Sequence, residues 1–133
     1  MRLTTRSEYA LLALIHLARA ESEKYVTAEA VATAQKIPVA FLEQILLALK
    51  RAHFVQSVKG RRGGFRLARA ADNISVADVI RSCDGALAPT QSVSHYFYEH
   101  TPIEKEKRML KLFKGIRDYV SKRLEETTIA DVA

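Results

Sequence analysis

Residues 39–69 decide the fold and read VAFLEQILLALKRAHFVQSVKGRRGGFRLAR. The first part has the apolar spacing of an amphipathic helix, and the second holds two runs of strand-forming residues, FVQSV and FRLA, around the turn KGRRGG. No acidic residue lies between Glu43 and Asp72. The same window contains seven cations, which are Lys50, Arg51, Lys59, Arg61, Arg62, Arg66 and Arg69. Positive charge concentrated on a helix end and a hairpin is typical of a nucleic-acid-binding protein.

Length and composition limit the alternatives. The 133 residues are enough for one domain, and the 48% of hydrophobic residues can form a small core. A net charge of +6 and a pI near 9.6 favour a polyanionic partner. We expect a cytoplasmic protein without a membrane segment, because no apolar run approaches the roughly 20 residues of a membrane span and no signal-peptide cleavage site is apparent. The single cysteine, Cys83, excludes an intrachain disulfide.

Three helices are predicted before the hairpin. Thr5 and Glu8 have the spacing of a capping box, which predicts that the first helix begins near Arg6. Thr27 can cap a short second helix, AEAVATAQ, which ends at KIP before the helix that begins near Val39. Two helices around a tight turn, closed against the first, indicate a helix-turn-helix.

The second helix of such a motif inserts its N-terminal end into a major groove. The residues at that end are Pro38, Val39, Ala40, Glu43 and Gln44. Glu43 can accept a hydrogen bond from the cytosine amino group, and Gln44 can pair with adenine. The alternative is that both simply form a solvated face.

A two-stranded ribbon after a helix-turn-helix is a wing, so the predicted fold is mainly α with a small β-hairpin. Arg61 and Arg62 are expected at its tip, where an arginine can enter a narrow minor groove. The glycines of the turn, Gly60, Gly63 and Gly64, would let the backbone approach a surface closely. A phosphate-binding loop is not indicated, because the lysine and hydroxyl residue that should follow the last glycine are absent.

After the wing, Asn73 and Ser75 can both cap the helix VADVIRSCDG, which Gly85 ends. The helix carries Cys83 near its C-terminus, where partial negative charge disfavours a thiolate. Residues 86–100 lack a helical or strand repeat and are predicted to form a loop. The candidate metal ligands in this loop are His95, Glu99 and His100.

The last predicted element is a helix from Pro102 to about Glu126, followed by a short terminal helix that Thr128 can cap. The apolar stripe of the long helix consists of Met109, Phe113, Ile116, Val120 and Leu124. A helix of about 35 Å exceeds the size of so small a domain, so we expect the stripe to pair with a second subunit. The expected organisation is a winged helix-turn-helix domain at 1–85, a sensor-type loop at 86–101 and a dimerisation helix with its tail at 102–133.

Four segments together resemble one protein family. They are MRLTTRSEYALLAL, IPVAFLEQIL, VKGRRGGFRLAR and ISVADVI before a long C-terminal helix. They are similar to the Rrf-two family of winged helix-turn-helix repressors and activators, which includes the iron-sulfur cluster regulator, the nitric-oxide sensor and the cysteine-metabolism regulator. The resemblance implies a cytoplasmic homodimer on a palindromic operator. By position it implies DNA contacts at Arg2, Thr4, Arg6, Tyr9, the range 38–44 and the range 59–64.

The chain also departs from this family. Members that sense through an iron-sulfur cluster hold it with three cysteines between the last core helix and the dimer helix, whereas residues 86–107 contain none. Ser92 stands about where the first would be. Pro38 and Ala40 replace small hydroxyl residues at the start of the reading helix. We therefore predict DNA binding without a stable cluster, and a small molecule or partner protein at the loop as the signal, if there is one.

The favoured function is a homodimeric, sequence-specific transcription regulator that binds double-stranded DNA. The alternatives are an iron-sulfur or metal-sensing regulator with non-cysteine ligands, and an RNA-binding or structural winged-helix module. An enzyme is not predicted, because no carboxylate pair, cysteine-histidine arrangement or phosphate loop emerges. The operator, the signal and the choice between repression and activation are left open.

Overall fold

The computed structural model describes residues 1–21 and 23–133. Its helices and strands are α1 (Thr5–Arg19), α2 (Ala28–Gln35), α3 (Val39–Arg51), β1 (Val55–Val58), β2 (Gly64–Leu67), α4 (Val76–Asp84), α5 (Lys107–Glu126) and α6 (Ile129–Val132). Short 3-10 turns occupy Ala71–Asn73, Gln91–Val93 and Pro102–Lys105. The mainly helical fold with one small hairpin, predicted from the sequence, is confirmed.

The core forms around α1, which contacts α2, α3, α4 and α6. Its Leu14 is fully buried, together with Leu42 and Leu46 of α3 and Ile80 of α4. Each such side chain contributes about 1.5–3 kcal/mol by leaving water. The predicted pairing of the helix-turn-helix with the first helix follows from this burial.

Hydroxyl side chains cap the N-termini of four helices. Thr27 caps α2, Ser75 caps α4 and Thr128 caps α6 in a capping box with Asp131. The expected cap of α1 at Thr5 is wrong, because the Thr4 hydroxyl accepts the Ser7 amide hydrogen and the helix begins one residue earlier.

The hairpin is antiparallel, with Val55 opposite Leu67 and Val58 opposite Gly64. Val26 and Phe65 also exchange two backbone hydrogen bonds, of 2.8 and 2.7 Å, so the chain before α2 supports the wing from the side. This contact explains Gly64, where a Cβ would lie 2.4 Å from the Val26 carbonyl oxygen. Gly63 is constrained likewise, because its Cβ would lie 2.2 Å from the Val58 oxygen. Close approach within the wing therefore requires these two glycines.

The predicted continuous helix from Pro102 is wrong in its first residues. Residues 102–105 form a 3-10 turn, and the extended backbone of Glu106 separates it from α5. The 20 residues of α5 span about 30 Å. Its C-terminal end returns to the body, because the Val76 amide donates to the Thr127 carbonyl at 2.8 Å and Ile129 is fully buried.

No single helix in the described ranges is long and apolar enough to cross a membrane. Helices α2 and α3 reach that length and composition only as a pair, and the pair is bent by 117°.

Candidate nucleic-acid interface

The turn between α2 and α3 presents one end of α3 to the outside. Lys36 adopts a left-handed conformation that ends α2, and the 117° bend is within the range of a helix-turn-helix. The inner face of α3 is buried at Leu42, Ile45, Leu46 and Leu49. The candidate reading residues on the other face are all exposed, and they are Pro38, Val39, Ala40, Glu43 and Gln44.

The wing presents a separate group of charges. Lys59, Arg61 and Arg62 are exposed at the turn, and none of them forms an ion pair within the ranges that the structure covers. Gly60 has a φ of +110°, which favours glycine, and a Cβ there would meet open space. Three cations at this turn are therefore available to an anion.

A groove of about 470 Å³ separates α3 from the wing. Glu43, Leu47 and Lys50 line it from α3, and Val58 and Lys59 line it from the wing. The first residues of α2 close its third side. The groove joins the reading end of α3 to the charged turn in one surface.

Two of the seven predicted cations lie elsewhere. The Arg66 guanidinium stacks on the Tyr25 ring at 4.5 Å, and that of Arg69 stacks on the Phe54 ring at 4.8 Å. Both side chains are half-buried against the body of the domain. The basic surface therefore contains fewer cations than the sequence indicated. The sequence alone does not show whether a cation faces solvent or packs against the domain.

The N-terminal residues for which the resemblance implied DNA contacts differ in exposure and in their partners. Arg2 and Arg6 are exposed, whereas Tyr9 is half-buried with its ring edge against Phe41, 5.6 Å between centroids. The Thr4 hydroxyl donates to an Asp84 carboxylate oxygen at 2.6 Å, and the Thr4 amide donates to the other at 3.2 Å. Both Thr4 donors are thus used inside the chain.

Asp84 is a residue that the sequence did not single out in this role. Partial burial opposes its ionisation, but hydrogen bonds from Thr4 and Ser7 and the charge of Arg6 hold the pKa of its carboxyl below the usual value. The charged carboxylate therefore ties the start of α1 to the end of α4. Nothing in the local sequence signals a contact between positions 80 residues apart.

In the family that the chain resembles, an iron site would lie in the loop before α5. Ser92 is buried and accepts a hydrogen bond from the Thr101 hydroxyl at 2.7 Å, with Thr90 at 3.4 Å. His100 pairs with Glu104, which also accepts from the Tyr98 hydroxyl at 2.6 Å. These hydroxyl and carboxylate groups are therefore hydrogen-bonded to one another within the loop.

These residues do not fit a thiolate-held cluster. His95 lies 3.5 Å from the Asp118 carboxylate, whereas His100 pairs with Glu104, so the two histidines have different partners. Within residues 1–21 and 23–133, no group of three or more histidines, cysteines or acidic residues is arranged to hold a metal. Cys83 is half-buried in α4, and burial raises the pKa of its thiol although Arg6 opposes this shift.

The expected stripe of α5 is divided between two faces. Met109 and Ile116 are exposed, Phe113 and Val120 are half-buried, and Leu124 packs against the core. A second row at steps of three, four and three is exposed on the outer face, by 38% to 70%. It consists of Met109, Leu112, Ile116 and Tyr119 and is termed the outer row. The period of 3.6 residues explains the division, because a wide stripe covers two faces.

A helix-turn-helix followed by a basic two-stranded wing defines the chain as a winged helix-turn-helix protein. The model of the Rrf2 (Rrf-two) family, described as an iron-dependent transcriptional regulator, matches residues 3–133. The chain belongs to this family of transcriptional regulators, whose members are not enzymes.

Similar proteins cover the whole chain. A Mycobacterium tuberculosis protein named as an HTH-type transcriptional regulator, Rv1287, is 38% identical over 100% of this chain and 81% of its own length. The solved structure of CymR, the global cysteine regulator of Bacillus subtilis, is 28% identical with a TM-score of 0.86, covering 100% of this chain and 96% of its own. The structure of IscR from T. potens is 25% identical with a TM-score of 0.77, covering 99% of this chain and 85% of its own.

Proposed function

We propose that the protein is a cytoplasmic homodimer that binds a palindromic operator in double-stranded DNA. The observation that carries the proposal is the continuous surface formed by the exposed end of α3, the groove and the basic wing turn. A major groove about 12 Å wide admits a helix such as α3. The adjacent minor groove would receive the wing.

Each part of this surface would have a distinct role. Glu43 and Gln44 would contact base edges in the major groove. Arg61 and Arg62 would enter the minor groove, and Lys59 with Lys50 would face the phosphates of the strand that crosses the groove. Arg2 and Arg6 would add phosphate contacts near the start of α1. The Thr4 amide and hydroxyl, which donate to Asp84, would position α1 rather than contact DNA.

The outer row of α5 supports the homodimer. Four exposed apolar side chains along one helix form a surface that a second copy can cover about a twofold axis. Twofold symmetry in the protein matches a palindrome in the DNA, since each subunit reads one half-site.

We propose that regulation does not use a thiolate-held iron cluster, and that any effector is a small molecule or protein at the loop 86–107. The hydrogen-bonded hydroxyls and the separate histidines of this loop support the proposal. The alternative is a metal sensor with non-cysteine ligands. Anaerobic incubation with iron and sulfide would then yield a coloured protein with stoichiometric iron that is lost on replacing His95 or His100.

The experiment that tests the function is selection of bound duplexes from a random DNA pool by the purified full chain. We expect enrichment of an inverted repeat whose half-sites lie about one helical turn apart. Competition with single-stranded and double-stranded RNA provides the control. Equal or tighter binding of RNA, or enrichment of no sequence, would contradict the proposal and favour an RNA-binding or structural module.

A further inference from the structure

The outer face of α3 lacks the residues that usually read guanine. No lysine or arginine lies between Lys36 and Lys50, although both flanks are basic. Exposed apolar side chains stand there instead, with Val39 exposed by 40% and Leu47 by 47%. If this surface faces DNA, burying these side chains is favourable where they meet an apolar group of the partner.

The chemistry of base edges narrows what these groups can contact. Guanine is read mainly by a bidentate arginine or lysine, cytosine by a carboxylate and adenine by an amide. In the major groove, the group suited to an apolar side chain is the C5 methyl of thymine. Val39 and Ala40 therefore match thymine, while Gln44 matches adenine.

We propose that α3 recognises A·T pairs through thymine methyl groups, with Val39 and Ala40 as the specificity-determining residues. This inference rests on the proposed function, because it requires α3 to lie in a major groove. Each half-site would then contain at least one thymine whose C5 methyl contacts Val39.

Helix geometry places this contact next to the polar ones. Val39 precedes Glu43, and Ala40 precedes Gln44, by four residues, which is just over one turn and about 6 Å along α3. One turn corresponds to between one and two base-pair steps of about 3.4 Å. The thymine read by Val39 is thus expected within two base pairs of the base that Glu43 or Gln44 contacts.

Replacing thymine by uracil tests this directly, because it removes only the methyl group. Each thymine of the selected operator half-site would be changed in turn to deoxyuridine, and binding would be measured by fluorescence anisotropy. We expect about a four-fold loss of affinity at the contacted thymine, which corresponds to burial of one methyl group. Thymines that neither Val39 nor Ala40 contacts should show no change.

Two variants assign the contact. Val39→Ala should bind the thymine operator about as weakly as the wild type binds the uracil operator, and the uracil change should have no further effect on it. The matched control is Val132→Ala in α6, since Val132 is exposed by 43% and lies outside the reading surface. This control should keep the wild-type ratio between the two operators.

The outcomes separate the inference from the function beneath it. If a palindrome is enriched but replacing each half-site thymine by uracil leaves binding unchanged, recognition through thymine methyl groups is wrong. The proposed function as a transcription regulator would be unaffected. A Val39→Ala protein that keeps the full uracil effect would overturn the assignment to Val39. If no operator is enriched, the proposed function and this inference fail together.

Discussion

Thr4 caps α1 and at the same time binds the carboxylate that ends α4. Its hydroxyl accepts from the Ser7 amide at 3.2 Å and donates to Asp84 at 2.6 Å. A hydroxyl has both a proton and lone pairs, so one atom serves both contacts. Thr5, one residue later, lies inside the first turn and has neither role.

We predict that Thr4→Ala lowers the free energy of unfolding by about 1 kcal/mol, the usual loss of a helix N-cap. Thr5→Ala is the matched control and should change it by less than about 0.5 kcal/mol. Urea unfolding followed by circular dichroism measures both. A larger loss of unfolding free energy for Thr5→Ala would show that Thr5 is the cap, as the sequence predicted.

The Asp84 contact adds a pH dependence. The pKa of Asp84 is below its usual value in the folded chain, so its contribution is complete above the unfolded pKa of about 3.9 and is lost as pH falls through the folded pKa. The stability difference between wild type and Asp84→Asn should be constant above about pH 5 and shrink below about pH 4. A difference that grows on acidification would contradict this assignment.

The wing glycines differ in what a side chain would meet. At Gly64 a methyl group would collide with the Val26 backbone and φ is +145°, whereas at Gly60 there is open space and only φ, at +110°, is unfavourable. We predict that Gly64→Ala displaces the wing and costs several kcal/mol, while Gly60→Ala costs about 1 kcal/mol. Thermal unfolding compares the two variants, and equal melting temperatures would refute the difference.

At the scale of elements, the hairpin is held by its own ladder and by the Val26 segment, so its tip is a fixed platform for Arg61 and Arg62. Changing both to alanine should weaken operator binding at least several-fold and reduce the salt slope by about two. Glu43→Ala should mainly alter base preference. The control is Lys114→Ala with Lys122→Ala, which removes the same charge from exposed positions of α5.

Binding measured against salt concentration checks this prediction on the operator and on unrelated DNA. Loss of the wing arginines should weaken both duplexes, because phosphate and minor-groove contacts carry little base information. A loss of the same size in the α5 control would show that net charge alone determines the affinity.

At the scale of the whole molecule, the body buries its own core and α5 still carries the exposed outer row. We predict that Leu112→Glu with Ile116→Glu yields a folded monomer that binds the operator weakly, because charges cannot be buried in an apolar interface. Lys114→Glu makes the same charge change elsewhere on α5 and should remain a dimer. Sedimentation equilibrium measures the mass, and a dimeric double variant would move the interface elsewhere.

Local signals in the sequence determined most of the fold. The apolar period of residues 39–49, the strand residues around KGRRGG and the hydroxyl caps at Thr27, Ser75 and Thr128 each act over a few residues. The structure reproduces these elements because backbone hydrogen bonds and caps are satisfied by near neighbours. The family also follows from these segments.

Tertiary structure alone decided which atoms meet across the chain. The spacing to Glu8 favoured Thr5 as the cap, but the folded chain uses Thr4, which also binds Asp84. Gly64 is explained only by the Val26 backbone beside it. The same holds for Arg66 and Arg69, which lie on aromatic rings, and for the division of the α5 stripe into buried and exposed rows. The reason is physical: these choices depend on packing between residues far apart in sequence, which no local period records.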